Sequence, residues 1–212
     1  MKPAHLLTLA VLLSTAACGK HATAPTPLTG AQSAPNLSGA KVVLFPTQQG
    51  PVPVANTALH HWPLDRAALD AEISYWLQQN GSTKLWTLPA AVQKSLARSP
   101  GMDVDAGNLS VGIFQRARVE RIGDPLFGDI RKVAAFSDAQ LAVIPVSAEY
   151  VGENEQNARV EIATAIIKMD ADVLWFGVIT GTETGVGSDA AVASAAQAFA
   201  RAFAPKKSDG EK

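Results

Sequence analysis

The chain has 212 residues, a hydrophobic fraction of 47% and a formal net charge of −1. That length suits one domain with extensions, and that composition suits a globular core. The near-zero charge excludes a global field that would draw nucleic acid or an anionic membrane, and a single cysteine excludes an intramolecular disulfide.

Lys2 precedes an apolar run over residues 6–13, which ends in Ser14, Thr15, Ala16 and Ala17 and then Cys18. The run reads as a secretory signal and is too short to anchor a chain across a bilayer. The pattern resembles the bacterial lipoprotein signal, with Thr15 standing where that family usually has leucine. The resemblance implies removal of residues 1–17 and acylation of the Cys18 thiol with palmitate-type chains. It also implies the outer membrane as address, because Gly19 rather than aspartate follows the cysteine. More than one acyl chain gives stable anchoring, at about 0.8 kcal/mol per buried methylene. No later stretch is long and apolar enough to span a membrane.

Residues 18–40 are the lipidated cysteine and a tether rich in Ala, Thr, Pro, Ser and Gly. Such a segment cannot bury enough surface to offset its ordering entropy, and roughly 20 residues of it reach some 25 Å. A single α/β domain is expected over residues 41–204, followed by a polar tail over 205–212. Residues 41–46 (Lys-Val-Val-Leu-Phe-Pro) read as a strand buried on both faces. Residues 48–63 hold Gly50, Pro51, Pro53 and Pro63 and read as a loop. Asp65 caps a helix to Asn80, with Gly81 as its stop, and Leu69, Ile73, Trp76 and Leu77 form its apolar face.

Residues 84–88 read as a short strand carrying Trp86, and Pro89 opens a helix that Pro100 and Gly101 end. Residues 108–116 fit both a helix and a strand, and are taken as a helix. Asp124 and Pro125 begin a better one, with Leu126, Ile130, Val133 and Ala134 as its stripe. Three strands follow, over residues 140–150, 157–169 and 173–184, the last two joined by a hairpin at Asp170, Ala171 and Asp172. The closing helix, 188–204, places Val192, Ala196, Phe199 and Phe203 on one side. Strands separated by helices favour parallel pairing and strands joined by tight turns favour antiparallel pairing. The expected fold is therefore α/β (α+β), a mixed sheet of about five strands with helices packed on it.

The strand 42–46, the helix ending in Asn80 and Gly81, the strand 141–145, the hairpin with Val173, Leu174 and Trp175, and the closing Ala/Phe helix carry a second resemblance. Together they resemble the amino-terminal α/β domain of the Tol-system periplasmic protein and the α/β core of the curli-secretion lipoprotein family. The likeness is topological and no functional residue carries over. It implies a domain that docks to envelope partners.

The candidate chemistry is sparse. His60 and His61 form the only adjacent imidazole pair, and metal ligands beside them would have to be carboxylates such as Asp65 or Asp70. Gly185, Gly187 and Ala190 mimic a Gly-x-Gly-x-x-Ala phosphate fingerprint, but the strand before them is a hairpin arm and Asp189 sits where phosphate would lie. A glycine turn capped by Ser188 or Asp189 is the better reading. Ser147, Ser188 and Ser194 lack a nucleophile elbow. Glu149, Glu153, Glu155 and Glu161 gather around one strand end, where a solvated turn explains them better than paired acid–base carboxylates. Arg116, Arg118, Arg121, Arg131 and Lys132 alternate with acids as a solvated surface. Trp62 and Trp86, with Trp175, are candidates for a ligand or partner groove.

These residues read as a non-enzymatic, lipid-anchored envelope protein that binds an envelope protein partner or assists an envelope assembly, with no cofactor and no nucleic acid. The rival readings are a small-ligand or lipid-binding auxiliary of a transport system and an envelope hydrolase using His60 or His61.

Overall fold

Val42, Val43 and Leu44 are buried on both faces, and the sheet is built outward from them. The computed structural model describes residues 33–51, 58–81, 84–115 and 119–205. Cys18 and the signal segment lie outside the described residues, as do Arg116 and Arg118.

The elements run β1 (Val42–Leu44), β2 (His60–Trp62), α1 (Arg66–Gln79), β3 (Trp86–Thr87), α2 (Pro89–Ala97), α3 (Leu126–Ser137), β4 (Leu141–Gly152), β5 (Arg159–Lys168), β6 (Val173–Thr180) and α4 (Asp189–Phe203). The sheet has six strands in the order β3-β1-β4-β5-β6, with β2 paired to the far half of β4. β1 is parallel to β3 and β4, while β2, β4, β5 and β6 pair antiparallel, as the connections require. The fold is α/β with a mixed sheet, one strand larger than expected. The extra strand, β2, falls in a segment expected to be loop.

Helix ends follow the capping rules. Asp65 Oδ1 accepts from the amides of Ala67 (2.9 Å) and Ala68 (3.2 Å) to start α1. Pro89 occupies the first turn of α2. Asp124 Oδ1 accepts from the Gly128 amide at 2.9 Å at the start of α3. The helix expected over 108–116 does not form among the described residues of that range, 108–115, which hold a five-residue 3-10 turn, Val111–Gln115. Leu109, Val111 and Phe114 are instead spent as single buried anchors of an irregular cover, which a regular helical stripe would not place on this surface.

Two cores lie on opposite faces of the sheet. Leu69, Ile73 and Leu77 of α1 pack with Val192, Phe199 and Phe203 of α4 on one face. Val92 of α2 and Leu126, Ile130 and Val133 of α3 pack with the 106–114 segment on the other. Phe203 meets Phe199 and Trp175 edge to face, with ring centroids 4.8 and 5.4 Å apart. The Trp175 indole lies along its own strand over Gly177, where an added Cβ would come within 2.5 Å of the ring.

The folded body extends further toward the amino terminus than Lys41. Leu37 is buried, its amide donates to Phe203 O at 2.6 Å, and its carbonyl accepts from Trp86 Nε1 at 3.3 Å. Asn80 Nδ2 donates to Ala204 O at 2.8 Å, so both donors satisfy carbonyls that the end of α4 leaves open.

Candidate functional site

The helices α2 and α3 pack on β1 and the start of β4. Beyond them the same sheet face carries charge. Register pairs Glu149 of β4 with Glu161 of β5, and Val151 with Arg159. His61, opposite Val151 on β2, reaches diagonally to Glu149, with Nδ1 3.0 Å from Oε2. Arg159 donates to Glu161 Oε1 from Nε (3.0 Å) and Nη2 (2.7 Å), and from Nη1 to Glu183 Oε1 at 3.2 Å. A row of His61, Glu149, Glu161, Arg159 and Glu183 thus crosses three strands, and its first four side chains are 25–30% exposed. They are too buried for free solvation and too exposed for a sealed core.

The structure therefore brings two of the four singled-out glutamates together on a sheet face. Glu153 and Glu155 are exposed in the turn beyond β4. His60 lies near Trp62, ring centroids 5.8 Å apart, and Trp62 is half-buried opposite Tyr150. Trp86 sits in the core at the other end of the sheet. Among the described residues no three His, Cys, Asp or Glu side chains gather to hold a metal ion.

Of the three serines, Ser194 is engaged by the backbone. Ser194 Oγ donates to Ala191 O (3.0 Å) and accepts from the Thr182 amide (2.9 Å). Ser147 is buried in β4, and Ser188 precedes α4 with no side-chain cap bond. The glycine turn before α4 has its amides engaged: Gly185 N donates to Ala158 O (3.0 Å) and Val186 N to Glu155 O (2.8 Å). The Gly187 amide faces the Tyr150 phenol, whose pKa is raised by burial against the lowering effect of that amide. A phosphate would have to displace these bonds.

Open α/β sheets commonly bind ligands at the carboxyl ends of their parallel strands. Here that end of β1 is filled. Gln48, buried, donates from Nε2 to Pro46 O and to Ala106 O (2.9 Å), and its Oε1 accepts from Leu109 N (2.7 Å). Next to it Asp70 Oδ1 accepts from both the amide (2.9 Å) and the hydroxyl (2.6 Å) of Thr47. Burial pushes the Asp70 carboxyl above its ordinary pKa, and the Thr47 hydrogen bonds and the Arg66 charge oppose it. A shallow cavity of ≈150 Å³ lies between α2 and α3, with Val92, Leu96, Val133 and the exposed ring of Phe136 around it. That is well below the roughly 300–1,000 Å³ of sites that enclose a small molecule.

No family model matches the chain, and no curated protein matches it. Among solved structures it is similar to the PelC dodecamer from Paraburkholderia phytofirmans, at 14% identity and a TM-score of 0.39, covering 84% of this chain and 96% of that one. A second crystal form, of a point variant of the same dodecamer, gives 15% identity and a TM-score of 0.37 over the same shares. A likeness this distant leaves fold and function to the chain's own residues. No helix among the described residues is long and apolar enough to cross a membrane.

Proposed function

We propose that this is a non-enzymatic lipoprotein of the bacterial envelope, held to the outer membrane through acyl chains on Cys18, which works by docking a protein partner. The observation that carries the docking part is the ionic row across β2, β4 and β5. It is partly exposed, it is fixed by cross-strand register, and it stands at the end of the sheet away from Leu37. Charged side chains held in one arrangement before an encounter favour specific contact and fast association. The anchor rests on the signal-like stretch ending at Cys18.

Photo-crosslinking in intact cells tests the docking surface. A photoreactive side chain at position 61 or 161 is expected to give one crosslinked product of defined mass. The same group at Tyr75, exposed on α1, is expected to give none. Equal crosslinking from both places would reject the row as the docking surface.

A further inference from the structure

We infer that the outer edge of β6 is a strand-addition site. It takes an extended segment of the protein partner, apolar along its length and basic at one end. This rests on the docking reading above and names the chemistry of what docks.

β3, β2 and β6 end the sheet. β3 and β2, of two and three residues, offer little length to a further strand. β6 runs for eight residues, Val173–Thr180. Gly181 N donates to Val160 O at 2.9 Å, opposite it on β5. By alternation Ile179 and Gly177 also direct their backbone groups to β5, and Phe176, Val178 and Thr180 direct theirs away from the sheet. Among the described residues nothing pairs with those outward groups. The start of the strand differs. Val173 N donates to Glu120 O (2.8 Å) and Ile122 N to Ala171 O (3.0 Å), an antiparallel bridge of Arg121 to Asp172. The chain thus adds a short strand-like piece to one end of this edge.

Free edges are normally guarded by lysine, proline, a bulge or an inward-pointing charge. The sequence Val-Leu-Trp-Phe-Gly-Val-Ile-Thr of β6 holds no charge and no proline. Its register shift, at Ile166 and Ile167 of the partner strand, lies before the open part. The side chains beside the edge set what fits it. Phe176 and Val178 stand opposite Ala165 and Ala163 on one apolar face, and Val178 is partly exposed at its rim. Residues added next to them have to be apolar. Thr180, exposed, stands opposite Glu161. Glu161 and Glu183 share the single guanidinium of Arg159, and the Glu183 side chain is 57% exposed. Two carboxylates on one cation leave negative charge at this end of the edge, which a lysine or arginine beside Thr180 would complement. A second copy of β6 has no cation in its strand to set there.

The test is amide hydrogen exchange, resolved by residue with NMR, on the intact protein in a large excess of the blocked peptide Lys-Thr-Val-Thr-Val-Thr. The amides of Phe176, Val178 and Thr180 should slow on the order of tenfold, while those of Gly177 and Ile179, already bonded to β5, should not change. Glutamate in place of the peptide's lysine should remove most of the protection. Thr180→Lys, at an exposed position, should reverse that preference. Val178→Pro takes away an outward amide without touching the pairing to β5, and should abolish protection by either peptide. Unchanged exchange at the three amides, or equal protection by both peptides, would overturn the proposal. Slowing that rises with protein concentration and needs no peptide would assign the edge to a second copy and overturn it as well. A defined crosslinked product from positions 61 and 161 would in those cases leave the docking row standing.

Discussion

Glu149 and Glu161 face each other directly across β4 and β5. Like charges in that position destabilise a sheet, and here each carboxylate has its own partner, the His61 imidazole for one and the Arg159 guanidinium for the other. Arg159→Ala removes the cation and leaves the two carboxylates facing. It should cost about 1 kcal/mol or more in denaturant unfolding, beyond the 0.2–1 kcal/mol of an ordinary half-exposed pair. Adding Glu161→Gln to that variant should recover part of the loss. Strict additivity of the two substitutions would show that the facing carboxylates do not interact.

The Asp70 carboxyl titrates above its ordinary range because burial disfavours its charge. The folded state therefore holds this proton to a higher pH than the unfolded chain does. The contribution of Asp70 to stability is fully present below the unfolded pKa and is lost as pH rises through the folded one. Asp70→Asn keeps an acceptor for Thr47 and removes that loss. The variant should gain melting temperature over the wild type at neutral pH, and the gain should shrink as pH falls through the carboxylate range. A difference that does not vary with pH would contradict this.

Gln48 ties the exit of β1 to the 106–109 segment through two donated bonds and one accepted bond. Gln48→Ala leaves two carbonyls and one amide buried without partners, each costing about 1–3 kcal/mol before relaxation. A loss of about 2–4 kcal/mol in urea unfolding is expected, near the upper end of single substitutions. A loss under half of that would mean water replaces the amide.

Leu37 fills the core beside Trp86 and Phe203. Leu37→Ala should cost about 2–4 kcal/mol, whereas substitutions in a free tether cost nothing measurable. Thermal unfolding of this variant therefore measures where the folded body begins.

Much of the fold was legible because burial leaves a pattern. The apolar run in β1, the stripes of α1 and α4, the Asp65 cap and the hairpin at Ala171 all follow from local chemistry. β2 was not legible, since His-His-Trp has no strand periodicity and exists as a strand only because β4 runs past β1 and offers it an edge. The row was hidden for a related reason. The pairing of β4 with β5 shifts by one residue between Pro145 and Ser147. Without that bulge Glu149 would oppose Val160, and no spacing in the chain marks the shift. The tryptophans show the opposite limit: Trp62 and Trp86 look alike as aromatic rims, yet register sends one to the half-exposed end of the sheet and the other into the core.

The anchor is tested most directly by the mass of the amino-terminal peptide of protein recovered from cell membranes, beside a Cys18→Ala variant. The expected result is a diacylated or triacylated peptide starting at Cys18, with the variant released from the membrane fraction. An unmodified peptide starting at Met1, or a Cys18→Ala variant that still sediments with membranes, would contradict it.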